Sequence, residues 1–272
     1  GQTGPRAAEP AYDFLIQAMG GLMSVTGERD DKPGGGPQKV GVPIVDLTTG
    51  VYAALGIVAA LLRRSQTGQG EYIDVAMLDV QVGLLANQAM NFLLGGRVPR
   101  RTGTAHPNIQ PQRTFACADG DIVIVVGNDA QFATLCEALG QPSLARDPRY
   151  VSNSQRVKNL DTLDPLLDAI FIREPRAHWL DLLKRAGVPA GSINTVPEVF
   201  DDPQVQHRGM LRRLPHPVAG EVPQVMNPLR FGQSSLRVDR APALLGQHTD
   251  EVLAELGLSA AQIQDYRDRK II

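Results

Sequence analysis

The segment from Leu47 to Leu62 constrains this chain more than any other, because LTTGVYAALGIVAALL is apolar on almost every side. A surface helix shows a polar face at the 3.6-residue period, and this one has none, so the segment is expected to be a buried core helix. Asp46 stands immediately before it and Arg63-Arg64 close it, which suits the positive and negative ends of a helix dipole. Thr48, Thr49, Gly50 and Gly56 interrupt the run. It therefore falls short of the roughly 18 apolar residues that argue for a membrane span, and no membrane is expected among the partners.

Charge and cysteine usage narrow the function classes. The chain carries 27 Lys+Arg against 29 Asp+Glu, a formal charge of −2 over 272 residues, so no broad field favours nucleic acid. A hydrophobic share of 43% is enough for one large or two smaller packed domains. The 27 Gly and 20 Pro follow no collagen-like period and point to many tight turns. Cys117 and Cys136 could form at most one disulfide, which excludes a disulfide scaffold and fits a cytoplasmic or organelle-matrix setting. No Met or basic-then-apolar leader opens the chain; Gly1-Gln2-Thr3-Gly4-Pro5 reads as a loop from inside something larger, so a fragment is expected.

Periodicity organises the rest. Glu28 to Lys39, rich in Gly and Pro, is expected as a surface loop. After the apolar helix, Glu71 to Met77 alternates as a short strand would, and a helix is expected from about Asp79 to Leu94, ended by Gly95-Gly96. Arg97 to Gln112 has no periodicity and reads as a linker. Beyond an Asp119-Gly120-Asp121 turn, Ile122 to Val126 reads as a strand, and Phe132, Leu135, Cys136 and Leu139 mark one helical face ended by Gly140. Helices are expected at Leu160 to Phe171 and at Pro175 to Ala186, with Gly187 just past the latter, making a small α+β region over about 105–205. The Pro-rich stretch Pro215 to Pro228 leads to a helix near Thr249 to Leu256, with Thr249 as N-cap.

Few residues look chemical. Asp46, at the mouth of a buried helix, would be partly enclosed by apolar walls yet kept ionised by the helix N-terminus, as a nucleophile needs; the alternative is a plain N-cap. Asp13, in front of Phe14-Leu15-Ile16, has the same N-cap alternative. Gly34-Gly35-Gly36 lacks the remainder of a phosphate-binding loop. His106, His178, His207, His216 and His248 show no ligand spacing, so no metal is expected. Cys136 lies on an apolar face and reads as core. The paired arginines Arg63-Arg64, Arg100-Arg101 and Arg212-Arg213 read as solvated faces.

The order of several short motifs resembles the family III CoA-transferases, also called the CaiB/BaiF family, which includes α-methylacyl-CoA racemases. These motifs are Gly1-Gln2-Thr3-Gly4-Pro5, Tyr12-Asp13 with Gly20 to Gly27, Gly41 to Asp46, Ala54 to Ile57 and Thr67 to Asp79. Asp119-Gly120-Asp121, Arg185 to Gly191 and Leu245 to Leu253 continue the likeness along nearly the whole chain. The resemblance implies that Asp46 is the catalytic aspartate, attacking an acyl-CoA thioester to give a mixed anhydride and then carrying CoA as an aspartyl thioester to a second acid. Backbone N–H groups at the helix terminus or the Gly-rich turns would steady the oxyanions. Asp13 and Tyr12 are implied to assist beside Asp46. The racemases carry a His-Asp pair where this chain has Tyr12-Asp13, and a Glu near Gly127-Asn128, so the two bases of an α-proton shuttle are lacking and transfer is favoured. A racemase and a non-catalytic acyl-CoA-binding relative remain the alternatives.

The same resemblance implies the architecture: α/β, with a Rossmann-like large domain, a small α+β domain and an interlocked homodimer. Residues 1–100 would be a large-domain portion holding Asp46, 101–210 the linker and small domain, and 211–272 a C-terminal return to the large domain. The family's segment before the Gly-Gln-Thr-Gly-Pro loop, with much of the CoA-binding surface, is not in this sequence, so the CoA-binding residues are left unassigned. No permanent cofactor is implied; the partners are an acyl-CoA and a small carboxylic acid. Thr102 to Gln110 is expected near the acyl pocket, and Arg113 is a candidate for meeting a second carboxylate such as that of succinate.

Overall fold

A computed structural model describes residues 1–272 with the exception of Ser235, Arg237 and Asp239. The chain divides into two compact units, Gly1–Ile193 and Asn194–Ile272. Both mix helices with small antiparallel sheets.

The first unit opens with α1 (Asp13–Met19) and α2 (Leu22–Val25), separated by Gly20 and Gly21. Gly20 has no room for a side chain, since a Cβ there would lie 2.3 Å from Cγ of Gln81. Helix α3 (Ile44–Thr67) ends on Gly68, whose φ of 73° is the left-handed conformation that closes helices at low cost. Helices α4 (Met77–Leu84) and α5 (Ala86–Leu93) replace the single helix expected over Asp79 to Leu94. Ala86 sits at φ 44°, and a right-handed helix cannot run through that backbone. The strand expected over Glu71 to Met77 does not form: the alternation is present, but no ladder partner lies beside it among the described residues, and Met77 already begins α4.

The apolar helix is where sequence and structure part most sharply. Helix α3 packs against α1 and α4, yet Val45 is its only buried residue. Leu47, Val51, Leu55, Val58 and Leu62, spaced as one helical face, are each more than half exposed. The reading of a buried core helix is thus corrected, and α3 is, by length and composition alone, long and apolar enough to cross a membrane. All-round apolarity reports that a helix is suited to surroundings without water; it does not report which segment supplies them.

Residues 115–188 hold a well-packed core. Strand β1 (Gln112–Cys117) pairs with β2 (Gly120–Val125), and β2 with β3 (Ala190–Ser192), in the order β1-β2-β3. Phe115 faces Ile122 across the hairpin, and both are buried. Helix α6 (Asp129–Ala138) is capped by the Asn128 side chain, which accepts from Gln131 N–H at 2.9 Å. Helices α7 (Asn153–Lys158), α8 (Leu160–Phe171) and α9 (Arg176–Ala186) complete the layer on the sheet, α8 with the expected bounds and α9 closed by Gly187 at φ 73°. The Phe171 ring lies 4.7 Å from Phe115 and 5.1 Å from Trp179, whose Nε1–H donates to the Phe171 carbonyl at 2.8 Å. Arg156 is wholly buried: it donates to the carbonyls of Gln110 (2.7 Å) and Tyr150 (3.0 Å) and to Asp129 (2.8 Å), and lies over the Phe132 ring.

In the second unit, α10 (Val196–Asp201) begins at a Thr195–Glu198 capping box and α11 (Pro203–His207) at an Asp202 cap. The Pro-rich stretch proves to contain a hairpin of β4 (Leu211–His216) and β5 (Gly220–Val225). Pro215 and Pro223 are tolerated because each strand of a two-stranded sheet has a free edge. Helix α12 (Thr249–Glu255) starts with His248 rather than Thr249 at the N-cap, and α13 (Ala260–Asp268) follows a Ser259–Gln262 capping box.

Replacing Arg156 by Leu should orphan two buried carbonyls at about 1–3 kcal/mol each, lowering the urea midpoint. An unchanged midpoint would show that this network carries no stability.

Candidate active site

The start of α3 is built by a carboxylate borrowed from α1. Pro43 occupies the N-cap and offers no side-chain acceptor, so the first-turn N–H groups need a partner from elsewhere. Asp13 supplies it: Oδ1 accepts from Val45 N–H at 2.8 Å and from Asp46 N–H at 3.4 Å. These are the second and third helical residues, the donors that an N-cap side chain ordinarily takes. The other oxygen, Oδ2, accepts from Gln17 Nε2 at 2.6 Å, and Gln17 Oε1 accepts from Val40 N–H at 2.9 Å. Gln17, the middle of the connection from Val40 through Asp13 to α3, is wholly buried and so shielded from competing water.

Asp46 is therefore the third residue of its helix, neither an N-cap nor the residue before the helix. It is exposed, which corrects the expectation of a carboxylate enclosed by apolar walls. Its carboxylate has no hydrogen-bond partner among the described residues. The expectation that N–H groups of the helix terminus would steady oxyanions is also corrected. Ile44 N–H goes to the Val42 carbonyl, Leu47 N–H to the Pro43 carbonyl, and the two between go to Asp13. Asp13, in turn, caps α3 rather than its own helix, whose N-cap is Tyr12. The structure thus joins Asp13 and Asp46, while Tyr12 is 76% exposed. Gln17, which composition and spacing left unremarked, is the third member; an amide one turn after an aspartate was the only trace in the sequence.

Other motifs are brought together nearby. Gln2 N–H donates to Asp74 at 2.9 Å, tying the Gly-Gln-Thr-Gly-Pro loop to the segment before α4, and a cavity of about 270 Å³ lies there between Gln2, Arg6, Ile16, Met19 and Met77. The Thr102 to Gln110 stretch is a braced loop. Gly103 N–H donates to Gly27, Gln110 Nε2 to the His106 carbonyl, and Asn153 Nδ2 to the Asn108 carbonyl. Beside it, a charged cavity of about 390 Å³ is lined by Glu28, Arg29, Lys32, Thr104, Arg113, Asp161, Asp164 and Asp168. Arg113 is not free for a substrate carboxylate: it donates to Asp164 at 2.9 Å and Asp168 at 2.7 Å and lies 3.9 Å over the Phe115 ring. Burial raises the Asp164 carboxyl against the pull of Arg113.

Both cysteines are free and buried. Burial pushes the Cys117 thiol up, helped by Asp119 and Asp121, and pushes Cys136 up to about 12. Among the described residues no group of three potential metal ligands occurs.

The chain belongs to the CoA-transferase family III, whose model matches residues 1–249. It is 43% identical over 256 residues to a succinate–glutarate CoA-transferase of Agrobacterium fabrum, covering 94% of this chain and 63% of that one. To a succinyl-CoA:glutarate CoA-transferase of Mus musculus it is 40% identical, covering 94% and 58%. The crystal structure of a CaiB/BaiF family protein from Brucella suis superposes with a TM-score of 0.78 at 45% identity, over 94% of this chain and 65% of that one. The chain thus spans about three fifths of the length of the curated relatives it matches.

A thiol held neutral to about 12, above its ordinary value of 9.0, adds stability that is fully present below pH 9 and is lost as pH rises toward 12. Iodoacetamide at pH 8 should accordingly leave Cys136 unmodified in the folded protein and label it in urea; labelling at equal rates in both would contradict the buried, neutral thiol.

Proposed function

We propose that this protein transfers CoA from an acyl-CoA to a carboxylic acid, with Asp46 as the nucleophile. The observation that carries the proposal is the unpartnered, exposed Asp46 carboxylate in the first turn of α3, in a chain of the CoA-transferase family III. An Asp whose helix cap is supplied by another residue is left available for chemistry.

Four acyl transfers account for the exchange. The Asp46 carboxylate attacks the thioester carbonyl and the C–S bond breaks, giving a mixed anhydride and CoA thiolate. The thiolate attacks the Asp46 carbonyl, expelling the donor acid as its carboxylate and leaving an aspartyl-CoA thioester. The acceptor carboxylate displaces CoA thiolate from that thioester, forming a second anhydride. The thiolate then attacks the acceptor's carbonyl, which yields the new acyl-CoA and regenerates Asp46. Dicarboxylic acids are the substrate class we favour, supported by the names of the succinate–glutarate relatives. Because Arg113 is already paired and the first-turn N–H groups of α3 are engaged, the second carboxylate and the oxyanions must find their donors elsewhere.

The wider assembly is part of the same reading. The bare apolar face of α3 supports a Rossmann-like large domain and an interlocked homodimer, in which that face would be covered. In this reading residues 1–100 and 211–272 serve the large domain and 101–210 the linker and small domain. The buried free thiols suit the cytoplasm or an organelle matrix.

Asp46→Ala and Asp46→Asn are expected to lower succinyl-CoA:glutarate exchange by at least roughly a thousandfold while leaving the circular dichroism intact. Hydroxylamine or borohydride trapping followed by mass spectrometry should modify the peptide containing Asp46. Full exchange by a purified Asp46→Ala protein would end the nucleophile assignment, and loss of α-deuterium from a 2-methylacyl-CoA would replace transfer by racemisation.

A further inference from the structure

We propose that Gln17 is a positioning residue of the transferase, and that Gln17 and Asp13 together form a substitute helix cap whose task is to keep the Asp46 carboxylate free. The inference rests on the assignment of Asp46 made above. It adds a residue that touches no substrate and acts through Asp13.

An aspartate in the first turn of a helix has bare backbone donors within reach of its own short side chain, and Asp side chains readily bond to neighbouring N–H groups. Pro43 has no N–H to offer, so the open donors nearest Asp46 are those of Val45 and Asp46 itself. A carboxylate that folds back onto them is held away from substrate and shares its lone pairs with two donors. Asp13 Oδ1 occupies both donors, at 2.8 and 3.4 Å, and so removes that alternative.

Asp13 can do this only in one orientation of its carboxylate plane. Its second oxygen is fixed by the Gln17 amide at 2.6 Å, and Gln17 is fixed in turn by Val40 N–H at 2.9 Å. Gln17 lies one helical turn after Asp13 and is wholly buried, so its amide has few other rotamers and no water to bond instead. Val40 belongs to the segment that leads into the Pro43 cap, so the same amide sets both the approach to α3 and the carboxylate that caps it. An apolar side chain of equal length at position 17 would fill the space and lose both bonds.

The test compares Gln17→Met, Asp13→Ala and the double variant in the full-length enzyme. Gln17→Met is expected to lower kcat about tenfold, the worth of one well-placed hydrogen bond, with KM for both substrates within about twofold of the parent. Since Gln17 acts through Asp13, adding Gln17→Met to Asp13→Ala should lower kcat no further, whereas independent structural damage would multiply the losses. Amide exchange in the peptide spanning residues 40–47 should quicken in Gln17→Met. A parental kcat, multiplicative losses, or a change confined to KM would each overturn the proposal. If the parent transfers no CoA, or Asp46→Ala retains transfer, the transferase reading falls separately; the exchange rate of residues 40–47 then decides the cap, with an unchanged rate counting against it.

Discussion

A carboxylate from one helix capping another is the contact on which the candidate site depends. Asp13 spends one oxygen on the first turn of α3 and the other on Gln17, and three consequences follow from that geometry. Helix α3 can begin at a proline without a side-chain cap of its own. Helices α1 and α3 are held in fixed relation at the point where Asp46 emerges. The helix terminus, its donors used, contributes its field to Asp46 but no free N–H group to a reacting oxygen. The last point matters for the proposed transfer, because an oxyanion forming on a thioester carbonyl would need preorganised donors, and those of this turn are already engaged.

The charged residues divide in a similar way between structure and chemistry. Arg113, Arg156 and Arg101 are all deeply placed, and each is consumed by the fold: Arg113 by Asp164 and Asp168, Arg156 by two carbonyls and Asp129, Arg101 by Asp30 and the Glu28 carbonyl. A substrate carboxylate offered to any of them would have to displace a partner already in hydrogen-bond contact. Asp46 is the opposite case, a carboxylate at a structured helix end that nothing has claimed. Two acidic residues in the same neighbourhood thus differ in that Asp13 has partners for both oxygens and Asp46 has none among the described residues.

What the sequence disclosed follows from the range of the interactions involved. Helix α8 and the end of α9 at Gly187 were legible because apolar period and glycine stops act within a few residues. Strand β1 was not, because QRTFAC acquires its pattern only when Phe115 and Cys117 face the core opposite β2. The β4–β5 hairpin was hidden by prolines that an edge tolerates. At the site, Asp46 was singled out by its place before an apolar run and by resemblance, and the alternative that it is itself the N-cap is corrected, since Pro43 holds that position. Spacing along the chain predicts a local cap, and Asp13 reaches α3 from outside the local sequence.

Helix α3 shows where such reading has to stop. Its composition states that water is a poor neighbour on every side, and that much is a property of the side chains themselves. Whether the excluding neighbour is the same stretch of chain, another segment, a second copy or lipid is not encoded in the helix, because the hydrophobic effect is non-directional and rewards any apolar cover. Polar ends narrow the choice. Asp46 in the first turn and Arg63, paired with Glu71 at 2.6 Å, near the last put charge at both ends of the apolar stretch. The turn that carries Asp46 must also remain packed on α1 for the Asp13 contact to form. Any cover of the apolar face, whatever supplies it, has to leave that contact and both charged ends in place.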